Sequence, residues 1–332
     1  MQSAHWVIAR SARVMGFPAV VRYFAKRVVQ TAATLLAASV LAFALVPLAP
    51  GSPARTILQV EFRPVSEQAV EKLEKQLGLD RPLYVQYVDW LANAVRGDLS
   101  NSYRTQQPVA DLVGDRLGPT LLLGSVAVGM ALVIAILGGL VAAAWAGRWP
   151  DAVVRMVALL GAGVPSFLVG LLLIQYVVLE LGVGSVIADG TIHTVWMPAL
   201  TLALATAAIW SRSMRVFLLE GLSAKYSLMA TARGASRLRV LLVHALPNAF
   251  IPFLSFLGLG IGAIIGGAVI VETVFAWPGM GLLVVNSILL RDLPVIQAFV
   301  LIGTLTYVLS SLAVDVLAFV LDPRLRARLA PR

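Results

Sequence analysis

The sequence predicts an all-α polytopic membrane protein with six transmembrane helices, and three observations support this fold class. The chain has 332 residues, of which 59% are hydrophobic and only 13% are charged, whereas a soluble domain carries about 25% charged residues. Several apolar runs reach the roughly 20 residues that a helix needs to cross about 30 Å of hydrocarbon. Basic residues are also distributed unevenly between the segments that join these runs. Because unpaired backbone groups are costly in lipid, the spans are predicted to be helices.

Six apolar segments are predicted to be the transmembrane helices. They run near Val28–Leu48, Thr120–Ala146, Val153–Leu179, Trp196–Leu219, Asn248–Val271 and Val295–Val320. The first is longer than the ~7–15 apolar residues of a cleaved signal peptide, which predicts a retained anchor. The predicted organisation is a cytosolic extension over 1–27, a first span over 28–48, an extracytoplasmic loop over 49–118, a membrane core over 119–320 and a cytosolic tail over 321–332.

The basic residues predict that both termini lie in the cytosol. The loop 181–195 contains no Lys or Arg, and the loop 272–294 contains only Arg291. The opposite side collects Arg10, Arg13, Arg22, Lys26, Arg27, Arg148, Arg155, Arg212, Arg215, Lys225, Arg233, Arg237, Arg239, Arg324, Arg326, Arg328 and Arg332. Positive charge accumulates on the cytosolic side of membrane proteins. Residues 1–20 are interpreted either as an extension along the inner membrane surface or as a disordered tail.

The long outer loop is predicted to hold two amphipathic helices. The first begins after Ser66, which can serve as an N-cap, and ends at Gly78. The second follows Pro82 in "RPLYVQYVDWLANAV" and places Leu83, Tyr87 and Trp90 on one side. These helices are expected to pack over the outer mouth of the membrane core.

Several classes of chemistry have no counterpart in the sequence. The chain has no cysteine, and its three histidines lie far apart, so thiolate sites and disulfides are excluded and no histidine motif is present. GxxxxGK[ST], HExxH and GxSxG are absent. The net charge of +9 follows the membrane topology, and no nucleic-acid partner is expected.

Two acidic residues fall within or beside predicted spans. Glu272 lies where the fifth span leaves the membrane, and Asp315 lies in the inner half of the sixth. Intramembrane acids mark functional sites by default, so a stand-alone proton-coupled transporter is one hypothesis. A role in helix packing or at a helix end is the other interpretation.

The passage from Leu222 to Phe250, "LSAKYSLMATARGASRLRVLLVHALPNAF", is predicted to form short cytosolic helices. Ser223 can cap the first helix and Gly234 can end it. Ser236 can cap a second helix, which continues until Pro247. Four side chains fall at i, i+3, i+4 and i+7 on one face of the first helix: Tyr226, Met229, Ala230 and Arg233. The small residues predict a knob that fits a groove on a cytosolic partner, whereas a helix lying on the inner leaflet would explain only the arginines.

This passage resembles the cytoplasmic loop of permease subunits of ATP-binding-cassette importers. That pattern reads Glu-Ala-Ala, three residues, Gly, nine residues, then Ile-x-Leu-Pro. Here Ala230 holds the third position and Gly234 the glycine, and nine residues then lead to the letters HALP. Leu228, Met229 and His244 depart from the pattern. The missing acid at Leu228 removes any salt bridge from that position.

Further segments resemble the same branch. In chain order they are "LAPGSPA", "LGLDRPLYVQYVDWL", "RGDLSNSY", "VPSF", "IIGGAVIVETVFAWPGMG", "RDLPVIQAFVL" and "LDPRLR". The sequence is identified as a member of the dipeptide/oligopeptide/nickel permease family over about residues 21–328.

The resemblance implies a type I importer permease in the inner membrane of a prokaryote. A second homologous permease would complete the pathway, two ATP-binding-cassette ATPases would dock below, and an extracytoplasmic solute-binding protein would deliver solute. ATP and Mg would be bound by the ATPases, with no cofactor or metal in this chain and membrane lipid around it. Within the loop 220–247, residues 223–234 would form the coupling helix. Its contacts to the ATPase would be Ser223, Tyr226, Met229, Ala230, Arg233 and Gly234.

An outer gate is also predicted. The Trp277-Pro278-Gly279 break and a short helix near Leu282–Leu290 suggest a re-entrant or surface helix at the pathway mouth. The candidate pathway residues are Glu272, Trp277, Pro278 and Asp315. Trp277 is equally well interpreted as an interfacial aromatic.

The solute is predicted to be a di- or oligopeptide, with nickel or a metal–chelator complex as the alternative. The segments "RTILQVEFRPVSEQ" and "SYRTQQPV" are similar to metal-importing members.

Overall fold

The computed structural model of the protein describes residues 17–48, 53–59 and 66–321, and helices dominate this part of the chain. The helices are α1 (Phe17–Leu48), α2 (Pro53–Gln59), α3 (Glu67–Leu77), α4 (Leu83–Val95), α5 (Val109–Ala144), α6 (Trp149–Gly163), α7 (Ser166–Leu173), α8 (Trp196–Ser223), α9 (Lys225–Ala232), α10 (Arg237–Arg239), α11 (Leu246–Val274), α12 (Met280–Leu289) and α13 (Leu293–Leu321). π-Helical turns extend α7 over Ile174–Glu180 and join α10 to α11 over Val240–Ala245. The predicted surface extension over 1–20 falls largely outside the described residues.

Six helical segments in the described ranges are long and apolar enough to cross a membrane. They are Ala25–Leu45, Val109–Ala144, Trp196–Ser223, Arg237–Leu254, Phe256–Val274 and Leu293–Val320. The fourth and fifth follow one another along a single helical run that ends with α11. The predicted helical membrane protein is therefore confirmed.

The third predicted span is not a continuous helix. α6 and α7 meet at a bend of 103°, so the uninterrupted helix over Val153–Leu179 was a wrong prediction. The cause is Pro165, which forces the preceding Val164 into an extended conformation with φ −85° and ψ 126°. The bent pair adds a further candidate span and raises the possible number to seven.

α8 is the central helix of the membrane core. It packs against α5, α6 and α11, and its side chains Trp210 and Met214 are buried. α5 lies close to it because Gly139 has no side chain, and a Cβ there would lie 2.5 Å from Met214 Cγ. The Trp210 ring also meets the Phe253 ring of α11 edge-on at 6.0 Å. These contacts hold α5, α8 and α11 together.

Glycines of α11 serve contacts within this subunit. A Cβ at Gly260 would lie 2.6 Å from Trp210 Cε2, and one at Gly262 would lie 2.9 Å from Tyr307 Cε2. Gly266, by contrast, has open space around it. Packing inside the subunit therefore explains Gly260 and Gly262.

The two amphipathic helices predicted for the long loop are confirmed as α3 and α4. Ser66 caps α3 by accepting a hydrogen bond from the Ala69 N–H, and Gly78 ends it with φ +67°. α4 lies against the C-terminal part of α1, where Tyr87 and Ser39 share a hydrogen bond of 2.8 Å. The Tyr87 ring also contacts the Phe43 ring at a centroid distance of 5.5 Å. The outer helices are therefore anchored on the membrane core.

Candidate functional site

Glu272 connects three helices at the C-terminal end of α11. The residue is fully buried, and its Oε2 accepts hydrogen bonds from the backbone N–H groups of Gly281 (2.6 Å) and Leu282 (3.1 Å). Its Oε1 accepts one from the Thr120 hydroxyl of α5 at 2.7 Å. Gly281 and Leu282 lie in the first turn of α12, where backbone N–H groups have no partner within the helix. Glu272 therefore caps α12 from another helix, the helix-end interpretation of this acid.

The turn between α11 and α12 is packed into the protein. Trp277 is fully buried, and its indole N–H donates to the Pro119 carbonyl at 3.1 Å. The buried ring rules out an ordinary interfacial aromatic. Pro278 lies against Gly190 of the loop before α8, where a Cβ would come within 2.8 Å of the proline ring. Glu272, Trp277 and Pro278 thus form one cluster, which we call the outer turn.

A cavity of about 300 Å³ lies beneath the outer turn. Its walls come from α5, α11, α12 and α13, and Glu272 and Thr120 lie at its lining. The other lining groups are mostly apolar, such as Ile264, Ile302 and Phe299. The predicted short helix after the Trp-Pro-Gly break is confirmed as α12, which contributes Met280 to this wall.

Asp315 does not join this cluster. Its carboxylate forms an ion pair with Arg27 of α1 at 2.7 Å, and both side chains are partly exposed. Glu272 and Asp315 are therefore engaged separately, the first in a helix cap and the second in helix pairing. The structure does not bring them together as an acid relay.

The predicted cytosolic helix is present as α9, but it begins one residue later than predicted. Ala224 occupies its N-cap position, and Ser223 ends α8 with its hydroxyl donating to the Glu220 carbonyl at 2.9 Å. The prediction of Ser223 as the cap is therefore wrong. Gly234 follows the helix with φ +85°, which confirms it as the stop.

α9 is attached on one side and open on the other. The buried Ser227 hydroxyl donates to the Gly221 carbonyl at 2.7 Å and attaches α9 to α8. Met229 is 65% exposed, and Arg233 is exposed as well. Tyr226 and Ala230 are half-buried. α9 thus presents an exposed face that includes a large apolar side chain.

A buried ion pair above α9 was missed by the sequence reasoning. Asp151 of α6 is fully buried and accepts hydrogen bonds from Arg215 Nε (2.6 Å) and Nη2 (2.8 Å) of α8. The Gly147 N–H donates to the same carboxylate at 2.9 Å. Arg215 was counted only as a topology signal, and its partner lies 64 residues away. This pair fixes the loop between α5 and α6 onto the helix that leads into α9.

Comparison with known proteins identifies the family. The model of the binding-protein-dependent transport system inner membrane component matches residues 135–327, and the model of its N-terminal region matches residues 20–124. The chain belongs to this family. It is therefore a multi-pass inner-membrane permease of an ATP-binding-cassette importer, with the type I permease fold.

Similar proteins cover nearly the whole chain. The glutathione transport system permease proteins of Escherichia coli K12 and of Shigella dysenteriae serotype 1 are each 41% identical over 305 residues. The match covers 92% of this chain and 98% of each relative. The counterpart in Escherichia coli O6:H1 matches equally well. The family identified from the residues is thus confirmed, and importers of this kind work with ATPase and binding-protein partners.

Proposed function

We propose that this permease forms half of the translocation pathway of an ATP-driven importer of short peptides. The observation that carries the proposal is the 41% identity to glutathione transport permeases along 98% of their length, because glutathione is itself a tripeptide. The apolar cavity beneath the outer turn supports a solute with uncharged side chains. Nickel and metal–chelator complexes remain the alternative solutes, which the uptake experiment separates.

The proposed machine contains a second homologous permease, two ATPases and an extracytoplasmic binding protein. Each ATPase binds ATP and Mg, and the ATPase below this subunit receives α9 in a surface groove. The exposed Met229 face and the attachment of α9 to α8 through Ser227 support this assignment. In this machine, a displacement of α9 moves α8, to which α9 is attached. The Asp151–Arg215 ion pair couples this displacement of α8 to α6. Both termini lie in the cytosol, in accordance with the basic residues.

Reconstituted uptake tests the function directly. The complete complex in proteoliposomes, supplied with the binding protein and internal ATP, is expected to accumulate radiolabelled trialanine. Nickel uptake without peptide uptake would overturn the peptide assignment. Affinity purification of the tagged chain from gently solubilised membranes tests the composition, because it is expected to recover a second permease and ATPases with P-loops. A homomer without an ATPase would contradict the importer machine.

A further inference from the structure

A second cavity lies outside the membrane core, between the outer helices and the outer end of α13. Its volume is about 620 Å³, within the range of small-molecule sites. The ends of α3 and α4, the segment 98–106 and the first turns of α13 form its walls. A helix turns by about 100° per residue. Gln297, which lines this second cavity, and Ile302, which lines the cavity beneath the outer turn, therefore lie about 140° apart around α13. The second cavity, which we call the outer cavity, is thus separate from the cavity beneath the outer turn.

Gln297 is the unusual group in this wall. The residue is only 5% exposed, and it lines the cavity. Among the residues that the structure describes, no side-chain or backbone group forms a hydrogen bond with its amide. Buried polar groups nearly always have a hydrogen-bond partner within the protein. The Gln297 amide is therefore available to pair with a ligand that enters the cavity.

Tyr103 brings a second polar group to the same cavity. Its backbone N–H donates to Asp292 at 2.9 Å, and the neighbouring Ser102 hydroxyl donates to the other oxygen of Asp292. This clamp fixes the wall onto the start of α13. Burial raises the pKa of the Tyr103 phenol to about 12, with a smaller contribution from the Asp292 carboxylate. The hydroxyl therefore stays protonated and can donate a hydrogen bond to a ligand.

The remaining polar lining determines the charge that the cavity favours. Arg81 is paired with Asp89 at 3.2 Å, and Asp98 adds a second carboxylate. Two carboxylates against one guanidinium favour a ligand with a positive end and disfavour a phosphate headgroup. Trp90 and Phe43 provide aromatic surface beside these charges.

We propose that the outer cavity is a second binding site for short peptides, in which Gln297 pairs with a peptide group and the acidic lining receives the amino terminus. A glutamine side chain offers both a donor and an acceptor, which match the C=O and N–H of one peptide unit. The inference rests on the proposed peptide function. It adds a site that binds solute outside the translocation cavity and without the binding protein.

Equilibrium binding of radiolabelled trialanine to the permease–ATPase complex tests this site. The complex is placed in phosphatidylcholine nanodiscs without the binding protein, and saturable binding is expected. N-acetyl-trialanine, which lacks the ammonium group, is expected to bind to the native complex about tenfold more weakly than trialanine. Trialanine is likewise expected to bind to the Gln297→Leu complex about tenfold more weakly than to the native complex. The matched control is Gln68→Leu, since Gln68 is exposed on α3 and outside the cavity. Tyr103→Phe removes only the hydroxyl and is expected to weaken binding as well.

Folding provides an independent readout. Gln297→Leu removes an unpartnered amide, so the melting temperature is expected to stay unchanged or to rise. A lower melting temperature would overturn the proposal, as would equal trialanine binding by Gln297→Leu and the native complex. Loss of binding in phosphatidylethanolamine nanodiscs would identify a lipid site and also overturn it. Trialanine uptake by the complete system without binding by the complex would contradict this site alone, whereas absence of all peptide uptake would contradict the proposed function.

Discussion

The Arg215 guanidinium donates two hydrogen bonds to the Asp151 carboxylate, at 2.6 Å from Nε and 2.8 Å from Nη2. The carboxylate is fully buried, whereas the arginine side chain is 21% exposed. Paired N–H donors on a planar group match a carboxylate in geometry as well as in charge. The pair joins α6 to α8 just before the chain enters α9. It therefore links the loop after α5 to the segment proposed to receive the ATPase movement.

Arg215→Ala is expected to destabilise the subunit. Removing Arg215 leaves the buried Asp151 carboxylate with the Gly147 N–H and the exposed Arg155 guanidinium at 3.4 Å as partners. The lost charge-assisted hydrogen bonds are expected to cost about 1–3 kcal/mol. Thermal unfolding of the solubilised complex measures the loss, and Arg212→Ala on the exposed side of the same helix is the matched control. The double variant Asp151→Ala/Arg215→Ala is expected to recover part of the loss. A double variant no more stable than Arg215→Ala alone would show that the charge pairing is not the cause.

Glu272→Gln distinguishes a helix cap from a proton relay. A glutamine oxygen can still accept from the Gly281 and Leu282 N–H groups, so uptake is expected to remain within about tenfold of the native level. Glu272→Leu leaves both N–H groups and the Thr120 hydroxyl without their acceptor, and is expected to abolish folding or transport. Both variants are measured by uptake and by membrane abundance. Complete loss of uptake in a well-folded Glu272→Gln protein would favour a titrating role instead.

Gly281→Ala is expected to disturb the outer turn. A Cβ at this position would lie 2.5 Å from the Val269 Cα and 2.9 Å from Glu272 Oε2, so the backbone of α12 must move. Overpacking of this kind typically costs about 1–3 kcal/mol. Gly114→Ala on α5, which has open space around it, is the matched control and is expected to be neutral or slightly stabilising, because alanine favours helix more than glycine does. Melting temperatures of the two variants make the comparison, and equal values would contradict the close packing.

The length of the apolar runs and the uneven distribution of basic residues predict most of the membrane helices. Both signals can be read from the sequence alone, because a span must match the hydrocarbon thickness and basic residues collect on the cytosolic side. The bend between α6 and α7 has no such signal. Pro165 lies inside a continuous apolar run, and hydropathy does not report the direction of a helix. Sequence reasoning can find the proline but not the 103° angle, which depends on packing against α8 and α11.

Local rules also explain the one-residue error at α9. Ser223 is a favourable cap residue, yet its hydroxyl bonds back to the Glu220 carbonyl inside α8, an alternative that serines have within helices. The chain instead becomes extended at Ala224, with ψ 151°, and α9 begins after it. The Asp151–Arg215 pair and the Glu272 cap were inaccessible for a similar reason. Each joins separate helices, and no pattern in one sequence specifies such a contact.

Reporter fusions test the orientation that the basic residues predict. A reporter fused after residue 110 is expected to be extracytoplasmic, and one fused after residue 230 is expected to be cytosolic. A fusion after residue 194, in the loop without Lys or Arg, should match the first. Alkaline phosphatase and a fluorescent protein give opposite signals for the two sides. The reverse pattern would invert the topology and remove α9 from reach of an ATPase.

Gly234→Asp is expected to abolish uptake while leaving membrane insertion intact. Gly234 has φ +85°, a conformation that costs other residues about 1–2 kcal/mol, and the change adds a carboxylate beside the exposed face of α9. A bulky Ala230→Trp on that helix is expected to act in the same way by blocking the groove. Gly182→Asp is the matched control, because Gly182 has φ +69° and open space but lies in the loop before α8. Uptake, ATPase activity and membrane abundance are compared for all three variants. Normal uptake by Gly234→Asp and Ala230→Trp would contradict the docking of α9 on the ATPase. An equal loss of uptake in Gly182→Asp would show that backbone strain, and not the position of the change on α9, causes the defect.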